Sequence, residues 1–181
     1  MGIVSTDDIY KALGLQKLGV LGKPIAWSLI YITRFNVLNN IYNRGKDLPT
    51  DQFLDFLLDD INVDYEIHEE DLNRIPKTGP FIILANHPLG ALDGIIMMHA
   101  IGKVRPDFKV MGNFLLHQIK PLETMVIPVN PFETRKEVYN SLHGLRVALS
   151  HLEGGGGLGI FPAGEVSFKN DCLLYTSPSP R

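Results

Sequence analysis

FIILANHPLGALDG, residues 81–94, opens as an uninterrupted apolar run and closes on a histidine, two glycines and an aspartate. A short continuous apolar run bounded by turn residues reads as a strand buried on both faces, the kind found in parallel sheets. We therefore expect a strand over Phe81–Ala85. His87 then falls just past its carboxyl end, where open α/β sheets place their ligands.

Working outward, the same grammar repeats. The turn-like PKTGP at 76–80 precedes the strand, and Ile95–Ile101 reads as a helix after it. Strands are expected over Phe108–Met111, over Met125–Val129 after Pro121, and over Leu158–Phe161, with a helix over Lys136–Leu152 ended by Gly154 to Gly157. Upstream, Ile25, Leu29, Ile32, Phe35, Leu38 and Ile41 recur at spacings of three and four, predicting one helix over Ile25–Tyr42. Pro49–Leu58 reads as a second helix, capped by Thr50 or Asp51, and Val63–His68 as a short strand. The expected fold class is α/β: a mostly parallel sheet flanked by helices, with an N-terminal helical segment. The division is 1–62, helical and suited to a membrane interface; 63–170, the α/β domain; and 171–181, a tail of different character.

At 181 residues and 45% hydrophobic the chain can bury a core. The formal charge of −3 gives no support to nucleic-acid binding. Charge is polarised, however. From Ile9 to Lys46 every charged residue is basic (Lys11, Lys17, Lys23, Arg34, Arg44 and Lys46), and Asp47 to Asp71 is dominated by acids. The single cysteine, Cys172, excludes an internal disulfide, matches no zinc site, and fits a reducing compartment. No apolar stretch approaches the ~20 residues that cross a bilayer.

His87 and Asp93 are the candidate catalytic pair. A neutral imidazole can take a proton from a hydroxyl, and a carboxylate on its other nitrogen fixes the tautomer and stabilises the imidazolium. Gly90 and Gly94 let the loop curl so that Asp93 returns to the histidine. The plainer alternative is that His87 ends a strand and Asp93 caps the helix at Gly94. Gly154, Gly156 and Gly159 satisfy G-x-G-x-x-G literally, but they follow a helix and precede a strand, the reverse of a dinucleotide fingerprint. There is no G-x-S-x-G of a serine hydrolase. His117, His143 and His151 have no partner spacing and read as surface or satisfied histidines.

NHPLGALDG together with FPAGEVSF resembles the glycerolipid or lysophospholipid acyltransferase superfamily. RIPKTGPFIILANHPLGALDG, RPDFKVMGN, IPVNPFE and GIFPAGEVS match, in order, its hemolysin-like bacterial branch, which acylates amino-acid lipids. The resemblance runs from about Val63 to Ser167. It implies an O-acyltransferase in which His87 deprotonates the acceptor hydroxyl, Asp93 orients His87, and the alkoxide attacks a thioester on acyl carrier protein or coenzyme A. No metal and no bound cofactor are implied. Asn86, Pro88, Gly90, Asn113, Asn130, Pro162, Gly164 and Glu165 are the expected substrate contacts, with Glu133 near them. The family leaves four residues between histidine and aspartate; here Pro88 to Leu92 make five, so a bulge is expected at Gly90. Ala163 stands where the family has glutamate and Val166 where it has arginine, which fits an acceptor head other than a phosphate monoester.

The expected partners are a lyso-lipid acceptor, the acyl thioester and a membrane surface, with no nucleic acid. The expected location is the cytoplasm, peripheral to the inner face of the cell membrane. Two alternatives stay open: a non-catalytic lipid-binding or membrane-docking module, and a hydrolase using the same pair to activate water. CLLYTSPSPR at 172–181 continues no α/β pattern, so we expect a C-terminally truncated chain whose native sequence stops near Asn170.

Overall fold

The computed structural model describes residues 5–129 and 141–162. Its N-terminal part is helical: α1 (Thr6–Ala12), a 3-10 segment (Leu15–Leu21), α2 (Gly22–Ile32), α3 (Phe35–Gly45), α4 (Thr50–Asp60) and α5 (Glu69–Asn73). The α/β part follows as β1 (Phe81–Leu84), α6 (Ala91–Gly102), β2 (Lys109–Asn113), α7 (Phe114–His117), β3 (Val126–Val129), α8 (Ser141–Glu153) and β4 (Gly157–Ile160).

The four strands lie in the order β1-β4-β2-β3, every pair parallel. All four carboxyl ends therefore share one edge. β1 and β4 are in direct register, Phe81 opposite Gly157 and Leu84 opposite Ile160. Glycine at 157 and 159 admits bulk from neighbours: a methyl on Gly159 would lie 2.6 Å from Met97 Sδ and 2.8 Å from Phe108 Cζ. One face of the sheet holds the main core, where Phe53 and Leu54 of α4 meet Met97 and Met98 of α6, Phe108, Val110 and Val126. On the other face Ala148 of α8 packs with Ile127 and Leu158. At the amino edge, buried Arg105 holds three loops together. It donates to both Asp107 carboxylate oxygens at 2.8 and 2.7 Å, and to the carbonyls of Pro76, Gly79 and Gly155 at 2.7, 3.1 and 2.9 Å.

Four expectations change. The single helix over Ile25–Tyr42 is two helices, broken where Arg34 adopts a left-handed conformation (φ 58°) and the Thr33 hydroxyl donates back to the Leu29 carbonyl at 2.6 Å. The apolar spacing survives the break, so periodicity alone misses it. Val63–His68 forms no strand. This segment is fixed by side chains instead, Tyr65 reaching His99 on α6, so its alternating pattern meets a helix and not a sheet edge. The helix after His87 begins at Ala91, with Gly90 as its N-cap, so Asp93 lies in the first turn and does not cap the helix at Gly94. Likewise Pro49, with no side-chain cap bond, precedes α4. Gly155, at φ 88°, ends the turn after α8, and His151 Nε2 sits 3.2 Å from the Gly157 carbonyl, so the glycine run joins a helix to a strand.

Candidate active site

His87 sits on the loop between β1 and α6, and Asp93 in the first turn of α6. What brings them together is Gly90. Its φ of 65° and ψ of −131° are conformations that a side chain resists, and they turn the chain there into α6. The Asp93 Oδ2 atom accepts the Leu89 backbone N–H at 2.8 Å and lies 3.3 Å from His87 Nδ1. One carboxylate oxygen thus ties down the loop and faces the imidazole. The helix N-terminus, with its positive dipole end, is a favourable place for that carboxylate. Both side chains are largely but not wholly enclosed, His87 at 19% and Asp93 at 16% exposure.

β4 completes the constellation. Because Ala85 N–H donates to the Ile160 carbonyl at 3.2 Å, the loops leaving β1 and β4 start side by side. Phe161, the first residue past β4, lays its ring against His87, with centroids 4.2 Å apart and planes inclined by 31°. Phe161 is a site residue missed by the sequence reading, which began its second site segment at Pro162. The strand order that makes the two loops neighbours has no signal in local sequence.

The other expected residues divide by position. Asn86 is exposed, Pro88 half-buried and Gly90 buried, all on the histidine loop, and Pro162 is exposed beside Phe161. Asn113 ends β2 at the same edge, two strand positions from β1, roughly 10 Å away at the usual strand spacing. Asn130, Glu133, Gly164 and Glu165, with Ala163 and Val166, lie outside the described residues, as do the first part of the Lys136–Leu152 helix and the 171–181 tail. Among the described residues no three His, Cys, Asp or Glu side chains gather as metal ligands would.

A cavity of about 460 Å³ lies at the far end of α6, lined in part by Asp55, His99, Lys103 and Met125. A relay crosses its wall. His99 Nδ1 and the Tyr65 hydroxyl are 2.6 Å apart, His99 Nε2 and Asp55 Oδ1 2.6 Å, and Lys103 donates to the same oxygen at 3.1 Å. The tautomer that satisfies both histidine contacts has Nε2–H donating to Asp55 and Nδ1 accepting from Tyr65. Hydrogen bonds from His99 and Lys103 hold the Asp55 carboxyl below its ordinary range, while burial and the Asp55 charge push the Tyr65 phenol up. This cavity is at the amino edge of the sheet, remote from His87, and we place the chemistry at the carboxyl edge, where open α/β sheets bind ligands.

The model of the family described as "Acyltransferase" matches residues 20–171, which include both α6 and every strand. The chain belongs to the acyltransferase family. Among curated proteins it is similar to the lyso-glycine lipid O-acyltransferase of Bacteroides thetaiotaomicron, 23% identical over 129 residues that make up 71% of this chain and 47% of that protein. The protein of the same name from Phocaeicola vulgatus is 24% identical over the same share of this chain and 46% of its own length. The chain thus spans about half the length of these relatives. No solved structure matches at comparable significance.

Proposed function

We propose that the chain carries out O-acyl transfer from a thioester to the hydroxyl of a lyso-lipid. The observation that carries this is the Nδ1–Oδ2 contact of 3.3 Å between His87 and Asp93 at the strand edge. With Nδ1 held by the carboxylate, Nε2 takes the acceptor's proton. The alkoxide oxygen attacks the thioester carbonyl, a C–O bond forms, the C–S bond breaks, and the imidazolium returns its proton to the departing thiolate. Charge on the imidazolium is stabilised by Asp93 throughout. The donor is acyl carrier protein or coenzyme A thioester. The relatives' name supports a lyso-glycine lipid or similar amino-acid lipid as acceptor, as does the replacement of the family's arginine by Val166.

An acceptor with one acyl chain resides in a bilayer, and the N-terminal helices offer a surface for it. Among the described residues no helix is long and apolar enough to cross a membrane. Yet Val20 is 92% exposed and Ile32 76%, and the exposed rings of Trp27 and Tyr31 pack together with centroids 4.5 Å apart. Burying such residues among head groups, with basic neighbours worth at most ~1 kcal/mol each near an anionic surface, holds a protein at an interface. Arg44 is paired with Asp60 at 2.5 Å and Lys23 lies 4.0 Å from Asp7 on the exposed surface, so Lys17 and Arg34, with Lys23 once released from that loose pair, carry the attraction. This surface would serve the inner face of the cell membrane.

The test is transfer of label from an acyl thioester to a panel of lyso-lipids by wild type and His87→Ala. Loss of a placed general base costs ~10²- to 10⁴-fold, so a variant keeping more than about a tenth of the rate defeats the assignment. Acceptor-independent release of fatty acid would mark a hydrolase. For the interface, wild type should sediment with anionic liposomes in a salt-sensitive manner, weakened by Lys23→Glu with Arg34→Glu; no sedimentation at low salt refutes it.

A further inference from the structure

We propose that Phe161 is a positioning residue for the acyl-transfer step, fixing the plane of the His87 imidazole as Asp93 fixes its edge; the proposal rests on the role assigned above to His87. An imidazole on a loop has two internal rotations to settle. The second is broad and roughly two-fold, so a polar contact at one nitrogen leaves the ring able to rock about it. A second contact, on the ring face, removes this freedom. Phe161 supplies it: its centroid is 4.2 Å from that of His87 at an inclination of 31°.

Phe161 is suited to the task because it is itself held. It packs against the main core cluster, and its Cε2 lies 3.9 Å from where a Cβ on Gly94 would stand, an ordinary contact distance. The ring thus lies in van der Waals range of the first turn of α6, the turn that carries Asp93. The backbone bond from Ala85 to Ile160 ties the two loops at their roots. Histidine, aspartate and phenylalanine therefore reach the site from β1, α6 and β4 respectively, and the direction of Nε2 is set by all three. Holding a reacting group within a near-attack geometry is worth large rate factors, and a displacement of about 1 Å costs on the order of 10².

The experiment compares Phe161→Leu, Phe161→Tyr and His87→Ala in the transfer assay, together with thermal melting and the His87 ring-proton resonances. The stacked phenyl ring should shift those resonances upfield. Leucine keeps bulk and apolarity but not the flat face. We expect Phe161→Leu to lower kcat at least tenfold with acceptor KM unchanged and the upfield shift lost, and Phe161→Tyr to restore both. If the leucine variant fails to melt cooperatively, Phe161→Met takes its place. Wild-type kcat in the non-aromatic variant, a change confined to KM, or an unmoved His87 resonance overturns the proposal. Activity retained by His87→Ala would instead defeat the general-base assignment, so the two failures are distinct.

Discussion

Asp93→Asn changes a charge while leaving the shape of the site nearly intact. Oδ2 of Asp93 meets two groups, the Leu89 N–H at 2.8 Å and His87 Nδ1 at 3.3 Å. The backbone N–H needs an acceptor, so it selects the amide oxygen of the asparagine for that position, which leaves that oxygen beside His87 Nδ1. What is lost is the attraction between carboxylate and imidazolium. Two unit charges 4 Å apart interact by about 1 kcal/mol in water and about 4 kcal/mol at the dielectric typical of partly buried pairs. With His87 and Asp93 each enclosed to about four-fifths, the loss falls at about 2–3 kcal/mol, or roughly 30- to 150-fold in kcat. Initial rates at saturating acceptor, set beside His87→Ala and a melting curve, measure it. A variant within about twofold of wild type would show that no positive charge develops on His87, and one as inactive as His87→Ala would show that Asp93 does more than orient and stabilise.

Gly90→Ala forces a side chain onto a backbone at φ 65°, ψ −131°, and should cost on the order of 1–3 kcal/mol of stability and lower kcat, seen in melting and transfer assays together. Gly159→Ala puts a methyl 2.8 Å from fully buried Phe108, so denaturation should report a loss of about 1–3 kcal/mol, recovered in part by adding Phe108→Leu. Asp55 and Asp107 both have carboxyl groups held below the ordinary value of 3.8, by His99 and by Arg105. Their contribution is therefore complete above pH 3.8 and lost as pH falls from there through the folded-state values, so Asp55→Asn should flatten the melting temperature's decline below 3.8 and leave the neutral range shallow.

Local chemistry explains which features were readable. β1, β3 and β4 carry their own apolar runs, and the histidine loop announces its turn through Gly90, so strands and the proximity of His87 and Asp93 could be placed from sequence. The break at Thr33–Arg34 could not, because helices on both sides share one apolar period. Tyr65, Asp55 and His99 are far apart along the chain, and only the folded packing of the 63–68 segment and α4 against α6 joins them. Phe161 was hidden for a similar reason: its partner is set by β4 entering the sheet beside β1.

That insertion also orders events at the ribosome. Among the described residues β1 pairs with β4 alone, whose partner residues emerge about 75 positions later. At synthesis rates of about 5–20 residues per second, β1 waits roughly 4–15 s with its hydrogen-bonding edges unsatisfied. Ile82 and Leu84 face outward even afterwards, at 51% and 65% exposure. The nascent chain therefore passes through an interval in which an apolar, unpaired strand is open to chaperones or to its own neighbours, and His87 meets the Phe161 ring only when that interval closes.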